Sequence, residues 1–205
     1  MKKITLAIMA IASFAGAKIA FASDDGWYMF GAIGQITGSG DKSMLDHVLT
    51  SAGKNGFSSS LSKPTVYSLD VGYQINKNLA FEGGYIGSTN ETYEASGGNL
   101  AGSVTASARI SGWTVTAVGM LPLAKQFSLL GKLGVAEVQD TANVTGLVGN
   151  NEINGIKSDI TYGVGAKYDF TNAISMRLDL DNYNIGSSFI SSRCNIWTVG
   201  VGYKF

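Results

Sequence analysis

Between Trp197 and Phe205 the chain reads WTVGVGYKF: Trp197, Val199, Val201, Tyr203 and Phe205 are apolar, while Thr198, Gly200, Gly202 and Lys204 between them are small or polar. Side chains alternate sides along a β-strand, so a strict period of two describes a strand with one apolar and one polar face, and it does not fit a helix. The same period runs through Ile160, Tyr162, Val164, Ala166, Tyr168 and Phe170, through Ile174, Met176, Leu178 and Leu180, and through Tyr67, Leu69, Val71, Tyr73 and Ile75. Trp113, Val115, Ala117, Gly119 and Leu121 continue it. The pattern predicts eight strands, near 26–37, 65–75, 79–88, 104–121, 127–138, 159–170, 174–185 and 194–205. On the first of them, alternation alone does not choose between Trp27/Met29/Ile33 and Tyr28/Phe30/Ile36 as the outer face.

The connections alternate as regularly as the side chains. Asn76-Lys77-Asn78, Pro122 to Gln126 and Thr171-Asn172-Ala173 are short; Gly38–Pro64, Thr89–Ser103, Gln139–Ser158 and Gly186–Arg193 are longer. Tight turns alternating with long loops predict an all-β, eight-stranded antiparallel up-and-down barrel whose two ends face different surroundings. An eight-stranded barrel is only wide enough inside for side chains to fill it. Large aromatic side chains would overfill that interior, so the bulky face must point outward and the small, sparsely charged face inward. Trp27, Tyr73, Tyr168, Phe170, Tyr203 and Phe205 lie near strand ends, where an interfacial girdle places its aromatics. A water-soluble barrel would not carry so continuous an exposed apolar band. The reading is a transmembrane β-barrel.

The N-terminus fits export. Lys2 and Lys3 precede an apolar run from Ile4 to Ala17, and Ala20-Phe21-Ala22 precedes Ser23 in a small-x-small pattern. That is the layout of a secretory signal peptide over residues 1–22, leaving residues 23–205 as the barrel with four extracellular loops. Removing Lys2, Lys3 and Lys18 leaves 12 Lys+Arg against 15 Asp+Glu, a net charge of −3, from the 15 of each in the whole chain. No clustered basic face for nucleic acid emerges from that balance. Cys194 is the single cysteine, so the fold is expected to hold without an internal disulfide. Beyond the leader no apolar run is long enough for a transmembrane helix.

VGYQINKNLAFEGGYIG (Val71–Gly87), FSLLGKLGVA (Phe127–Ala136), YGVGAKYDFTNAISMRLDLDNYNIG (Tyr162–Gly186) and WTVGVGYKF resemble the outer membrane protein A-type β-barrel family, and GWYMFGAIG (Gly26–Gly34) is similar to its first strand. The likeness covers nearly all of the chain after the leader, apart from the loops. It implies a barrel in a Gram-negative outer membrane, with lipid as its surroundings and a monomer as its form. Phe205, with Tyr203 and Val201 in step before it, is similar to the signal read by the outer-membrane assembly machinery. Larger members continue into a peptidoglycan-binding domain, which this sequence does not contain, so cell-wall tethering is not expected of it.

The inner face is expected to carry Asp70, Glu82, Lys132, Lys167, Arg177 and Asp179. The third and seventh strands stand opposite each other in a ring of eight, so Glu82 and Arg177 are long enough to meet across the lumen. Two functions compete for this set. It either fills and seals the lumen, or forms a gate whose ion pair exchanges partners to open a narrow path. The resemblance aligns Glu82 and Arg177 with a family interior acid and base. It also puts Lys167 where an acid is expected and Val118 where a base is expected. An adhesin or ligand-binding barrel acting through its long loops is the alternative class. A hydrolase is a third: His47, the single histidine, lies near Asp46, Ser43 and Ser51 in the first long loop, but without a recognisable nucleophile spacing. No catalytic, metal or cofactor-binding residues are assigned, and SMLDHVLTSAG (Ser43–Gly53) has the pattern of a short amphipathic helix as one alternative, with a mobile polar loop as the expected one.

Overall fold

The computed structural model describes residues 25–37, 42–100, 102–145, 151–185 and 192–205. The expected leader, residues 1–22, lies outside them. Among the described residues, ten strands and one helix follow in chain order: β1 (Gly26–Thr37), α1 (Lys42–Ser51), β2 (Ser58–Leu61), β3 (Thr65–Asn76), β4 (Leu79–Ser88), β5 (Glu91–Ser96), β6 (Val104–Pro122), β7 (Phe127–Thr145), β8 (Asn151–Asp169), β9 (Ile174–Ile185) and β10 (Ser192–Lys204). Every pairing is antiparallel. Eight strands close a ring in the order β1-β3-β4-β6-β7-β8-β9-β10, with β1 returning to β10. The described helix is not long and apolar enough to cross a membrane, which says nothing against a barrel that crosses with strands.

The faces divide as period two requires. Trp27, Ile33, Tyr67, Leu69, Trp113, Val115, Ile160, Tyr162, Val164, Leu178 and Val201 are exposed on the outside, whereas Phe30, Asp70, Glu82, Thr116, Arg177 and Asp179 are buried inside. On β1 this settles the open choice: Trp27 and Ile33 are exposed, and Phe30 and Ala32 are buried. A soluble fold would hide the first group, so the exposed band is itself the mark of lipid as solvent. Aromatic pairs lie at the short-turn end (Trp27–Tyr73, Tyr168–Phe170 and Tyr203–Phe205) and at the opposite border (Tyr85–Trp113), ring centroids 5.1–5.3 Å apart in edge-to-face contact.

Above the band the strands do not stop where alternation stops. β7 and β8 remain paired through Gln139↔Ile156 up to Val144↔Asn151, so much of the expected long loop Gln139–Ser158 is a hairpin arm. β5 takes over from β4 along the upper part of β6, and β2 pairs with β5. The segment expected to be a polar loop holds α1 instead.

Candidate functional site in the barrel lumen

Inward residues form three layers. At the long-loop end Val66, Ile86, Ile110, Val138, Tyr183, Cys194 and Ile196 make an apolar cluster with Ile36 against it. Toward the short-turn end Ala80, Val118 and Leu130 make a second, flanked by Tyr28 and Met120. Between them lies the ionic layer.

Arg177 of β9 is its centre. Nη1 and Nη2 donate to Glu82 Oε1 and Oε2 of β4 at 2.5 and 3.4 Å, and Nε donates to Asp179 Oδ2 at 2.7 Å. Its guanidinium also lies 3.8 Å from the centre of the Phe30 ring. Tyr28 donates its hydroxyl to Glu82 Oε1 at 2.7 Å. Lys132 of β7 pairs with Asp181 at 3.0 Å and with Asp179 at 3.7 Å. Ser68 donates to Asp70 Oδ2 at 3.3 Å. β4 and β9 are opposite members of the ring, which is why two long side chains can bridge the hollow.

Glycine placement makes this crowding feasible. Asp70 faces Gly84, Asp179 faces Gly165 and Asp181 faces Gly163 as direct cross-strand pairs. A Cβ on Gly84 would come within 1.9 Å of Asp70 Oδ1, one on Gly163 within 2.0 Å of Asp181 Oδ1, and one on Gly165 within 2.3 Å of Asp179 Oδ1. Each carboxylate lies in the space that a side chain on the next strand would occupy, so large and small inward residues interlock around the barrel.

Of the six residues expected in this network, Asp70, Glu82, Lys132, Arg177 and Asp179 meet in the ionic layer. Lys167 does not join their ion pairs. It stands directly across the β8–β9 ladder from Arg177 but pairs with Asp169 at 2.9 Å, toward the short-turn mouth. Two residues missing from the expected set belong to the layer: Asp181, on the same face of β9 as Asp179, and Tyr28. The period-two count could have included Asp181; the undecided face of β1 concealed Tyr28.

The loop cluster resolves differently. Ser51 Oγ and His47 Nδ1 are 3.3 Å apart, one helical turn along an exposed face. Asp46 turns away from them, accepting from Tyr93 Oη at 2.6 Å and from Lys42 Nζ at 2.9 Å. The Ser59 and Tyr93 hydroxyls and the Lys42 ammonium hold its carboxyl at about 2. Burial, then the bond to Asp46, pushes the Tyr93 phenol up to about 12. These contacts dock α1 on β2 and β5, and they engage the Asp46 carboxylate away from His47. Cys194 packs as a small apolar group within the upper layer.

Residues 4–205 match the family model for the outer membrane protein beta-barrel domain. Among solved structures, the chain is similar to Ail, the attachment invasion locus protein of Yersinia pestis, at TM-score 0.55 and 14% identity, covering 89% of this chain and 99% of that one. It is similar to Neisserial surface protein A at TM-score 0.50 and 18% identity, covering 91% and 100%. The N-terminal β-barrel domain of Pseudomonas aeruginosa OprF aligns at TM-score 0.50 and 11% identity, covering 89% and 98%. At such identities the likeness is one of fold. A search of curated protein sequences returned no match.

Proposed function

Because this chain belongs to the family of outer membrane protein β-barrel domains, we propose that it is a structural barrel of the outer membrane with a plugged lumen. In this reading it stabilises the envelope, carries its long loops on the cell exterior, and permits at most narrow, slow permeation. The observation behind it is the Glu82–Arg177 bridge, held between two apolar layers. An ion crossing the lumen would have to part a buried, bidentate, multiply bonded pair and then wet an apolar constriction, and dewetted constrictions block conduction. Wide diffusion pores need about 16 strands.

Planar-bilayer recording of the refolded protein tests this. A closed wild type, with Glu82→Ala and Arg177→Ala equally silent, supports the plug. A wild-type conductance altered by either substitution would instead favour a gate built on the same pair.

A surface-binding role is the second reading, favoured by the ordered platform of α1, β2 and β5 at the long-loop end. Loss of cell or ligand attachment on trimming Gly38–Pro64, with the barrel intact, would support it. Export by cleavage after Ala22 and assembly through Val201, Tyr203 and Phe205 complete the proposal, with the barrel acting as a monomer. A mature N-terminus elsewhere than Ser23 would overturn the first, and undiminished insertion of Phe205→Ala in cells would overturn the second.

A further inference from the structure

Between β8 and β9 the barrel wall closes by two different means. Among the described residues the β8–β9 ladder stops at Tyr162↔Asn182, although β8 runs on beside β7 to Val144↔Asn151 and β9 beside β10 to Ile185↔Ser192. Strands that follow different neighbours draw apart as a sheet twists. Ile160, just past that last rung, is still 62% exposed on the outer apolar face. The split thus begins at the border of the apolar band, not only in the arm above it.

Side chains take over where the ladder ends. Thr161 Oγ1 donates to the Asn182 carbonyl at 2.9 Å. Beyond it, Asp159 Oδ1 accepts from the Ile160 amide at 2.7 Å, and Oδ2 accepts from Asn184 Nδ2 at 2.6 Å and lies 3.9 Å from Lys157 Nζ. One carboxylate therefore satisfies a backbone amide at the edge of β8 and ties that edge to β9. Next to the split lies a cavity of about 20 Å³, with room for one water molecule, whose walls include Thr161, Asp181, Tyr183, Asp70 and Lys132. It adjoins the ionic layer.

From a ladder that ends at the border, a carboxylate that bridges the strands beyond it and a polar chamber beside the split, we infer that the β8–β9 seam is a latch held by Asp159. With the latch closed, the ionic layer is sealed from the side. When Asp159 releases Asn184 and the Ile160 amide, the strands part past Tyr162↔Asn182 toward the ionic layer, and water reaches the chamber without separation of the Glu82–Arg177 pair. Side-chain contacts at a half-exposed border open more readily than a continuous ladder, so the rungs below stay closed. The inference does not depend on whether the lumen conducts.

Amide hydrogen exchange, followed by NMR on the refolded protein in lipid nanodiscs, tests the latch. In Asp159→Ala, exchange at the upper rungs Tyr162↔Asn182 and Val164↔Leu180 should accelerate about tenfold or more, the scale of a lost hydrogen bond to a charged group. Asp159→Asn, which keeps an acceptor oxygen, should lie nearer to wild type. The lower rungs Lys167↔Arg177 and Tyr168↔Met176 should not change. Access to the chamber is read separately, from a thiol at Thr198 on its β10 wall. In a Cys194→Ala background, Thr198→Cys should be oxidised by hydrogen peroxide about tenfold faster when Asp159 is also replaced by alanine, with folding of each variant checked by heat-modifiable gel mobility. Unchanged exchange at the upper rungs, acceleration spread equally over the lower ones, or a thiol rate indifferent to Asp159 would each overturn the latch.

Discussion

Arg177 holds together more negative charge than it balances. Four acids, Asp70, Glu82, Asp179 and Asp181, share the ionic layer with two bases, Lys132 and Arg177. Removing a base therefore does more harm than removing an acid. Arg177→Ala leaves Glu82 and Asp179 buried without their shared partner and should cost about 3–5 kcal/mol. Glu82→Ala should cost less, since Arg177 keeps Asp179. Urea unfolding followed by gel mobility measures both, and the reverse order would show that the surplus of acids is not what strains the layer. Gly165→Ala probes the same layer from the wall. Its Cβ would lie 2.3 Å from Asp179 Oδ1 and 2.8 Å from the Leu178 carbonyl oxygen. Asp179 cannot retreat without loosening its hold on Arg177, so the variant should lose about 1–3 kcal/mol, the usual cost of overpacking. Wild-type stability in that variant would mean that the carboxylate has room to move. The bridge from Glu82 to Arg177 was legible because ring arithmetic places β4 opposite β9. Depth was not legible. Period two assigns a residue to a face but does not say which way a flexible side chain leans, and Lys167 leans toward Asp169.

At the scale of elements, alternation is informative only where one face meets lipid. Past Val138 both faces of the β7–β8 arm meet water, so Gln139 to Thr145 carries no two-residue contrast although the backbone ladder continues. For Ser43–Gly53 the sequence ranks a loop above the helix that forms there for a related reason: the attachment of α1 is polar, through Asp46, rather than a broad apolar stripe. That attachment has a pH window. The Asp46 carboxyl is held at about 2, below its ordinary value of 3.8, so its contribution to docking is present above that ordinary value and is lost as pH falls through about 2. The Tyr93 phenol is raised to about 12, so its contribution is present below its ordinary value of 10 and is lost as pH rises through about 12. Hydrogen exchange over Lys42–Ser51 should therefore be slow from about pH 4 to 10 after correction for intrinsic rates, and should accelerate outside that range. Tyr93→Phe should speed exchange in α1 at neutral pH while leaving β3, β4 and β9 unchanged. Equal protection of α1 in that variant would show that the helix is held by something other than the Tyr93–Asp46 bond.

For the whole molecule the decisive dimension is the height of the outer apolar band. Along β8 and the residue that follows it, the band runs from Ile160 to Phe170, about 33 Å at roughly 3.3 Å per residue. A tilt of about 40° reduces this to about 25 Å along the membrane normal, the height of a transmembrane barrel's band. Polar residues border it at the long-loop end: Asn182 donates to Asn195 at 2.7 Å, and Ser158 donates to Glu137 at 3.4 Å. Trp27 stands at the short-turn border, Trp113 and Trp197 at the other, where indole rings favour the interface. Single-tryptophan variants in bilayers of brominated lipid should therefore divide by depth. Trp27, Trp113 and Trp197 should each be quenched most by bromine near the headgroups. A tryptophan replacing Val164, midway along the β8 series, should be quenched most by bromine near the bilayer centre. Tyr28, on the inner face at the same level as Trp27, gives the control: Tyr28→Trp should resist both labels, because the barrel wall separates it from lipid. Were the lumenal tryptophan quenched and the one at position 164 spared, the two faces would be exchanged. The ionic layer would then lie in lipid at a cost of several kcal/mol per charge, which no eight-stranded barrel of this size could sustain.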